Sequence, residues 1–300
     1  MNHFNFSGVR LNWFPGHMAT GLKQIRSRLQ NEIDLIIEVR DARIPFSSSN
    51  TEMILGDEET TSKRIVIFTK KDLAGEEENK KIEKNMEGML YCKDDRRDLK
   101  KLLEMTKNHF KDSNPFTKNR VIVVGIPNVG KSTIINGLRS AGLGLNGKAV
   151  KVGNLAGVTR SISELVCISR QPLIYLIDTP GILPPNIKNV EEGLKVALCG
   201  GLYDKTVGFN LLAEYLLYNL NLKSNNQFKE FYRLDPDSPD AKDLKRFLPV
   251  AAKRIGALVS GGEFDLERTA TYFVRQFRMG KFGRMTLDHV DDMVSKQSFN

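Results

Sequence analysis

Residues 1–190 of this 300-residue chain predict an α/β domain built on a doubly wound, mostly parallel sheet, and residues 191–300 predict an all-α domain. The first observation behind this is a set of four short apolar runs, Leu35–Val39, Ile65–Phe68, Val121–Val124 and Leu173–Ile177, with the Ile and Val content of strands covered on both faces. The second is the helical composition of the stretches between them, Glu76–Met89 and Asp98–Phe110, which makes strand and helix alternate. The third is that no convincing strand follows Pro184-Pro185. Leu211–Leu222 is apolar almost all round and Glu267–Arg278 has a clean amphipathic period, so both read as helices. Asp235-Pro236-Asp237-Ser238-Pro239-Asp240 is turn chemistry between two of them.

Composition narrows the class. No apolar run approaches the roughly 18 residues of a membrane span. Forty-five Lys and Arg against 36 Asp and Glu leave +9, which suits an anionic partner such as nucleic acid or an anionic lipid face, or simply a solvated basic surface. Cys92, Cys167 and Cys199 stand far apart with no C-x-x-C, which argues against a disulfide framework or a cysteine zinc site and implies a reducing compartment. The first acidic residue is Glu32, after Arg10, Lys23, Arg26 and Arg28. That bias fits an import signal, while Met18, Leu22, Ile25 and Leu29 at helical spacing fit equally an amphipathic helix retained in the fold.

Gly125-Ile-Pro-Asn-Val-Gly-Lys-Ser132 follows a predicted strand and opens a predicted helix, the context a P-loop requires. Gly125 and Gly130 let the backbone turn so that amides from Asn128, Val129, Gly130, Lys131, Ser132 and Thr133 face phosphates. Lys131 reaches the β and γ oxygens, and the Ser132 hydroxyl is a Mg²⁺ ligand. Downstream, Asp178-Thr179-Pro180-Gly181 ends a strand, so Asp178 is a candidate for the Mg²⁺ shell and the Gly181 N–H for the γ-phosphate. Thr159, in Gly157-Val158-Thr159-Arg160, offers a second hydroxyl ligand for Mg²⁺ or is a plain loop hydroxyl.

The base is read elsewhere. Thr69-Lys70-Lys71-Asp72 ends the second predicted strand and approximates an N-K-x-D element. A carboxylate at Asp72 accepts from both N1–H and the 2-amino group of guanine, a donor pair adenine lacks. Thr69 replaces the usual Asn, Lys70 would flank the base with its alkyl stem, and Cys92 in Tyr91-Cys92-Lys93 occupies the place of a Ser-Ala-Lys element whose backbone meets guanine O6. Here the base-reading element precedes the P-loop and the switch elements follow it, which is a circular permutation. Such a cut preserves the neighbours of every strand and attaches new chain directly after the switch, where the presence of a γ-phosphate can be transmitted to it.

These motifs, together with Trp13-Phe14-Pro15-Gly16-His17-Met18, Asp41-Ala42-Arg43-Ile44-Pro45 and Gly193-Leu194-Lys195, resemble the circularly permuted ribosome-assembly GTPases over nearly the whole chain. Ala213-Glu214-Tyr215-Leu216-Leu217-Tyr218 resembles the mitochondrial branch more than the bacterial one. The resemblance implies GTP hydrolysis to GDP, stimulated by the large ribosomal subunit and timing its maturation, with rRNA bound by the helical domain. It also implies a monomer in the mitochondrial matrix or peripherally on the matrix side of the inner membrane. Ile182 stands where a water-orienting Gln is usual, and the resemblance gives that task to His17. Asn128 resembles the Asn that seats K⁺ beside the phosphates, and a turn-stabilising Asn fits the position equally well.

From Lys242 to Arg284 ten Lys or Arg face four Asp or Glu, a local +6. Ala270, Phe273, Val274 and Phe277 share one helical face, with Arg268, Arg275 and Arg278 opposite, beside Lys281 and Arg284, a set suited to RNA phosphates. Two other functions stay open on sequence: an RNA-binding factor in which nucleotide is structural, and a P-loop ATPase, which Asp72 disfavours.

Overall fold

A computed structural model describes residues 4–6, 32–49, 64–145, 165–179 and 189–291. The expected sites His17, Thr159 and Gly181, together with Ile182, and the helix expected over Met18–Leu29 lie outside the described residues.

Six strands form one sheet in the order β3-β2-β1-β4-β6-β5: β1 Leu35–Asp41, β2 Arg64–Thr69, β3 Met89–Tyr91, β4 Asn119–Val124, β5 Val166–Arg170 and β6 Leu173–Asp178. All pairs are parallel except β5 with β6. The four apolar runs therefore are strands, each one or two residues longer than its hydrophobic stretch. The extensions are polar residues such as Arg40, Asp41 and Asp178 that the strands carry to one edge.

Two strands were not anticipated. β3 lies at the end of a stretch expected to be helical; the helix there, α1 Glu76–Asn85, stops short because Met86 turns extended and Met89 pairs with Ile67. β5 is an antiparallel edge with a bulge between Cys167 and Ser169. Helices α2 Arg96–His109, capped by Asp95, and α3 Lys131–Leu143 complete the doubly wound part.

From residue 189 onward the described elements are helical: α4 Val190–Leu198, α5 Asp204–Val207, α6 Phe209–Leu222, α7 Gln227–Tyr232, a 3₁₀ turn at Pro239–Lys242, α8 Leu244–Ile255 and α9 Leu266–Arg278. A single isolated bridge, Leu258 to Phe264, is the only extended pairing described there. Phe228, Tyr232, Phe247, Phe273 and Phe282 pack ring against ring within it, some edge to face and some tilted. One continuous apolar cluster runs from the sheet through α4 and α6 into these rings.

The strand order places the site. After β1 the chain moves outward to β2 and β3, and after β4 it moves the other way to β6 and β5. The crevice at the carboxyl ends of β1 and β4 is thus a topological switch point, where doubly wound sheets bind ligands.

Candidate nucleotide site

The P-loop leaves β4 at Gly125, whose φ of +155° and tight approach to the Val39 carbonyl leave no room for a Cβ. Gly130, at φ +108°, caps α3 with its backbone. The amides at the start of α3 and the positive end of its dipole therefore face the crevice. Lys131 Nζ lies 3.1 Å from the Gly125 carbonyl and 2.9 Å from that of Ile126, so the side chain doubles back over its own loop. Burial holds this ammonium down to about 8 from its ordinary 10.5, against the opposing charge of Asp178. An anion in the loop would supply the charge that the buried ammonium lacks.

Ser132 Oγ donates to Asp178 Oδ2 at 3.1 Å, while Asp178 Oδ1 is buried with no hydrogen-bond partner. Burial raises the Asp178 pKa, opposed by Lys131 and Ser132. An orphaned carboxylate oxygen beside a hydroxyl, both hard oxygen donors, fits a Mg²⁺ shell. Thr179 Oγ1 donates to the Val123 carbonyl at 2.7 Å and so fixes the end of β6 against β4.

The segment expected to read the base meets the P-loop directly. Thr69 Oγ1 is 2.9 Å from the Arg40 carbonyl and 2.7 Å from that of Val129. Lys70, with φ +59°, sends Nζ to the Asn128 carbonyl at 3.0 Å and to Asp41 Oδ2 at 2.7 Å. Its stem therefore crosses from the end of β2 to the P-loop. Thr69 is a tether: its hydroxyl does the joining that a larger amide would do with two donors.

Asp72 is exposed at the mouth of a cleft of about 540 Å³ whose walls include Lys71, Cys92, Asp95, Arg97 and Arg284. Burial, with the Asp72 hydrogen bond acting in the same direction, raises the Cys92 thiol pKa. The Cys92 N–H differs from expectation. It donates to Asp98 Oδ2 at 2.8 Å, so the backbone contact to guanine O6 assigned to Cys92 is not offered by that amide, and the thiol faces Asp72 instead.

Asn128, at φ +57°, donates Nδ2 to the Gly200 carbonyl at 2.7 Å and so joins the P-loop to the corner after α4. Of the remaining P-loop residues, Val129 is buried in the core, and Thr133 lies in the first turn of α3.

Sequence reasoning assigned no role to Asp41 and Arg43, yet they organise this edge. The Asp41 carboxylate accepts from Arg43 N, Nε and NH2 at 2.8–3.0 Å and from Lys70. Burial works against its charge, but Arg43 and Lys70 outweigh that and hold the carboxyl well below the usual carboxylate range. The available signal was the strand run ending in Asp-x-Arg.

Arg278 corrects the expected basic face. Its guanidinium donates to the Leu198 and Ala197 carbonyls at 2.9 and 2.8 Å and pairs with Asp204 at 2.6 Å, so it closes the end of α4 rather than facing solvent. Arg268 and Arg275 are exposed, as expected.

The comparisons with known proteins agree with this geometry. Residues 120–213 match the family described as "50S ribosome-binding GTPase". The chain is 36% identical to the mitochondrial ribosome-associated GTPase 1 of Xenopus tropicalis, covering 92% of this chain and 94% of that protein. It is 37% identical to the mitochondrial GTPase 1 of Aedes aegypti, covering 93% of each. Crystal structures of YlqF from T. maritima, GNP-bound and GDP-bound, superpose with a TM-score of 0.58 at 25% identity, covering 90% of this chain and 97% and 100% of theirs.

The rotated order of base loop, P-loop and switch strand on one doubly wound sheet, followed by helices, defines a circularly permuted P-loop GTPase that binds guanine nucleotide. Within that class, the chain belongs to the family of mitochondrial ribosome-associated GTPase 1.

Proposed function

We propose that this GTPase hydrolyses GTP to time maturation of the large subunit of the mitochondrial ribosome. The observation that carries it is the pair of bonds from Thr69 and Lys70 to the Val129 and Asn128 carbonyls, which joins two segments some sixty residues apart into one nucleotide site.

In this reading residues 1–190 bind nucleotide. Asp72 reads guanine, with Thr69, Lys70 and Cys92 shaping its pocket, and the amides from Asn128 to Thr133 cradle the phosphates. Ser132 and Asp178, with Thr159, hold Mg²⁺, which when bound neutralises charge on the phosphate oxygens. The Gly181 N–H meets the γ-phosphate and His17 orients the attacking water. His17→Ala is expected to lower ribosome-stimulated turnover far more than nucleotide affinity, and unchanged turnover would remove His17 from the mechanism.

K⁺ beside the phosphates would be seated by Asn128, whose amide already bridges the P-loop and Gly200. Equal turnover in KCl and NaCl at matched ionic strength would exclude that role.

Residues 191–300 bind rRNA through the exposed Arg268 and Arg275 and the basic surface around Lys245, Arg246, Lys253, Arg254 and Lys281. Binding is then expected to fall steeply with added salt. The protein works as a monomer in the matrix or peripherally on the matrix side of the inner membrane. No described helix is long and apolar enough to cross a membrane; the net charge of +9 suits an anionic lipid face.

The test is phosphate release with and without mitochondrial large subunits, together with sedimentation on those particles in GTP, GDP and a non-hydrolysable analogue. Stimulated release and nucleotide-dependent co-sedimentation support the reading. Unstimulated release with nucleotide-independent binding would overturn the timing role.

A further inference from the structure

Of the segment after α9 only Lys281 has a part in the function above, yet the segment packs against the base-reading loop. The Met285 N–H donates to the Leu73 carbonyl at 2.9 Å, and Thr286 Oγ1 accepts from the Gly75 N–H at 3.0 Å. Further on, the Leu287 N–H donates to the Arg43 carbonyl at 2.7 Å, and the Asp288 carboxylate takes the N–H groups of Phe46 and Ser47 at 2.9 Å each. Gly280, at φ +76°, passes so close to Leu73 that a Cβ there would meet its side chain at 2.6 Å. These bonds join residues more than 200 positions apart on both sides of Asp72, and they set Arg284 in the wall of the cleft that Asp72 and Cys92 line.

The Arg284 side chain is about half exposed (54%), and its ion pair to the largely exposed Glu76 is a long one at 3.7 Å. Such a pair holds a guanidinium weakly, so the planar group is free to turn onto another partner. A guanidinium stacks on a flat π-system more readily than an ammonium does.

We propose that Gly280–Asp291 is a strap that completes the nucleobase pocket, with Arg284 lying against the face of the bound guanine and Met285 and Thr286 clamping the loop that carries Asp72. This rests on the assignment of Asp72 as the guanine reader. It moves Arg284 from the RNA-facing set to the nucleotide site. It also gives the helical part a direct hold on nucleotide release, since the strap follows α9 without a break.

Equilibrium binding of GMP, GDP and GTP to the full chain tests this. Arg284→Ala is expected to weaken all three by the same factor, about fivefold, because the contact is at the base. Thr286→Val, which removes the acceptor for the Gly75 N–H, is expected to speed GDP release. An unchanged Arg284→Ala, or a loss that grows with the number of phosphates, would overturn the inference, the second result marking Arg284 as a general charge on the phosphates. Asp72→Ala is the control: if it binds guanine nucleotides like the parent, the base assignment fails and this inference with it. If Asp72→Ala binds weakly while Arg284→Ala does not, only the strap fails.

Discussion

The hydroxyl of Thr69 sits 2.7 Å from the carbonyl oxygen of Val129, so the end of β2 is bonded directly to the P-loop, beside the bond from Lys70 to Asn128. Thr69 is buried, and its one proton is shared between that carbonyl and the Arg40 carbonyl at 2.9 Å. Thr69→Val is expected to leave buried carbonyls without a donor, at a cost of about 1–3 kcal/mol, and to weaken nucleotide binding in parallel. Thr69→Asn brings two N–H donors to the same two carbonyls and is expected to bind GTP at least as well as the parent. Thermal melts and equilibrium titrations check both.

Lys131 sets a pH dependence. Its folded pKa, about 8, lies below the ordinary 10.5, so between these values the unfolded chain holds a proton that the nucleotide-free fold has released. Stability of the nucleotide-free protein is therefore expected to gain from this group as pH rises through that window. Affinity for GTP moves the opposite way, falling above about pH 8 because the phosphates need the charged form. Lys131→Met should bind weakly with this pH dependence removed. Calorimetry in buffers of different ionisation enthalpy would detect proton uptake on binding above pH 8.

Asp178 is a buried carboxylate with one oxygen unpartnered, the one proposed to face Mg²⁺. Burial raises its pKa and Oδ1 has no partner, so its charge destabilises the nucleotide-free protein at neutral pH. Asp178→Asn is expected to raise the melting temperature without nucleotide and to abolish the gain in GTP affinity that Mg²⁺ brings. A melting curve with and without GTP and Mg²⁺ reads both effects.

The Asp41–Arg43 pair is buried on both sides. Asp41→Asn leaves the Arg43 guanidinium without its counter-charge and frees Lys70, and it is expected to cost about 3–5 kcal/mol in urea denaturation. A near-neutral result would mean that this pair does not organise the edge.

The sequence made the parallel strands legible because each is covered on both faces, so burial is written as an unbroken apolar run. Met89–Tyr91 is too short to carry a period, and its strand character comes from pairing with Ile67, Phe68 and Thr69. The chemistry of the P-loop was readable because its glycines and Lys131 act within one short loop. Arg278 was misread because helical periodicity says which side of α9 is opposite Phe273 but not that the carbonyl end of α4 arrives there. The Asp288 and Thr286 contacts join residues more than 200 positions apart, and no local pattern encodes such a meeting.

The most direct test of a guanine reader placed ahead of its P-loop is competition between GTP and XTP for the parent chain and Asp72→Asn. A carboxylate at residue 72 accepts from the 2-amino group of guanine, whereas an amide there donates to the 2-oxo group of xanthine. The parent is expected to prefer GTP and Asp72→Asn to prefer XTP; an unchanged preference for GTP in Asp72→Asn would contradict the account.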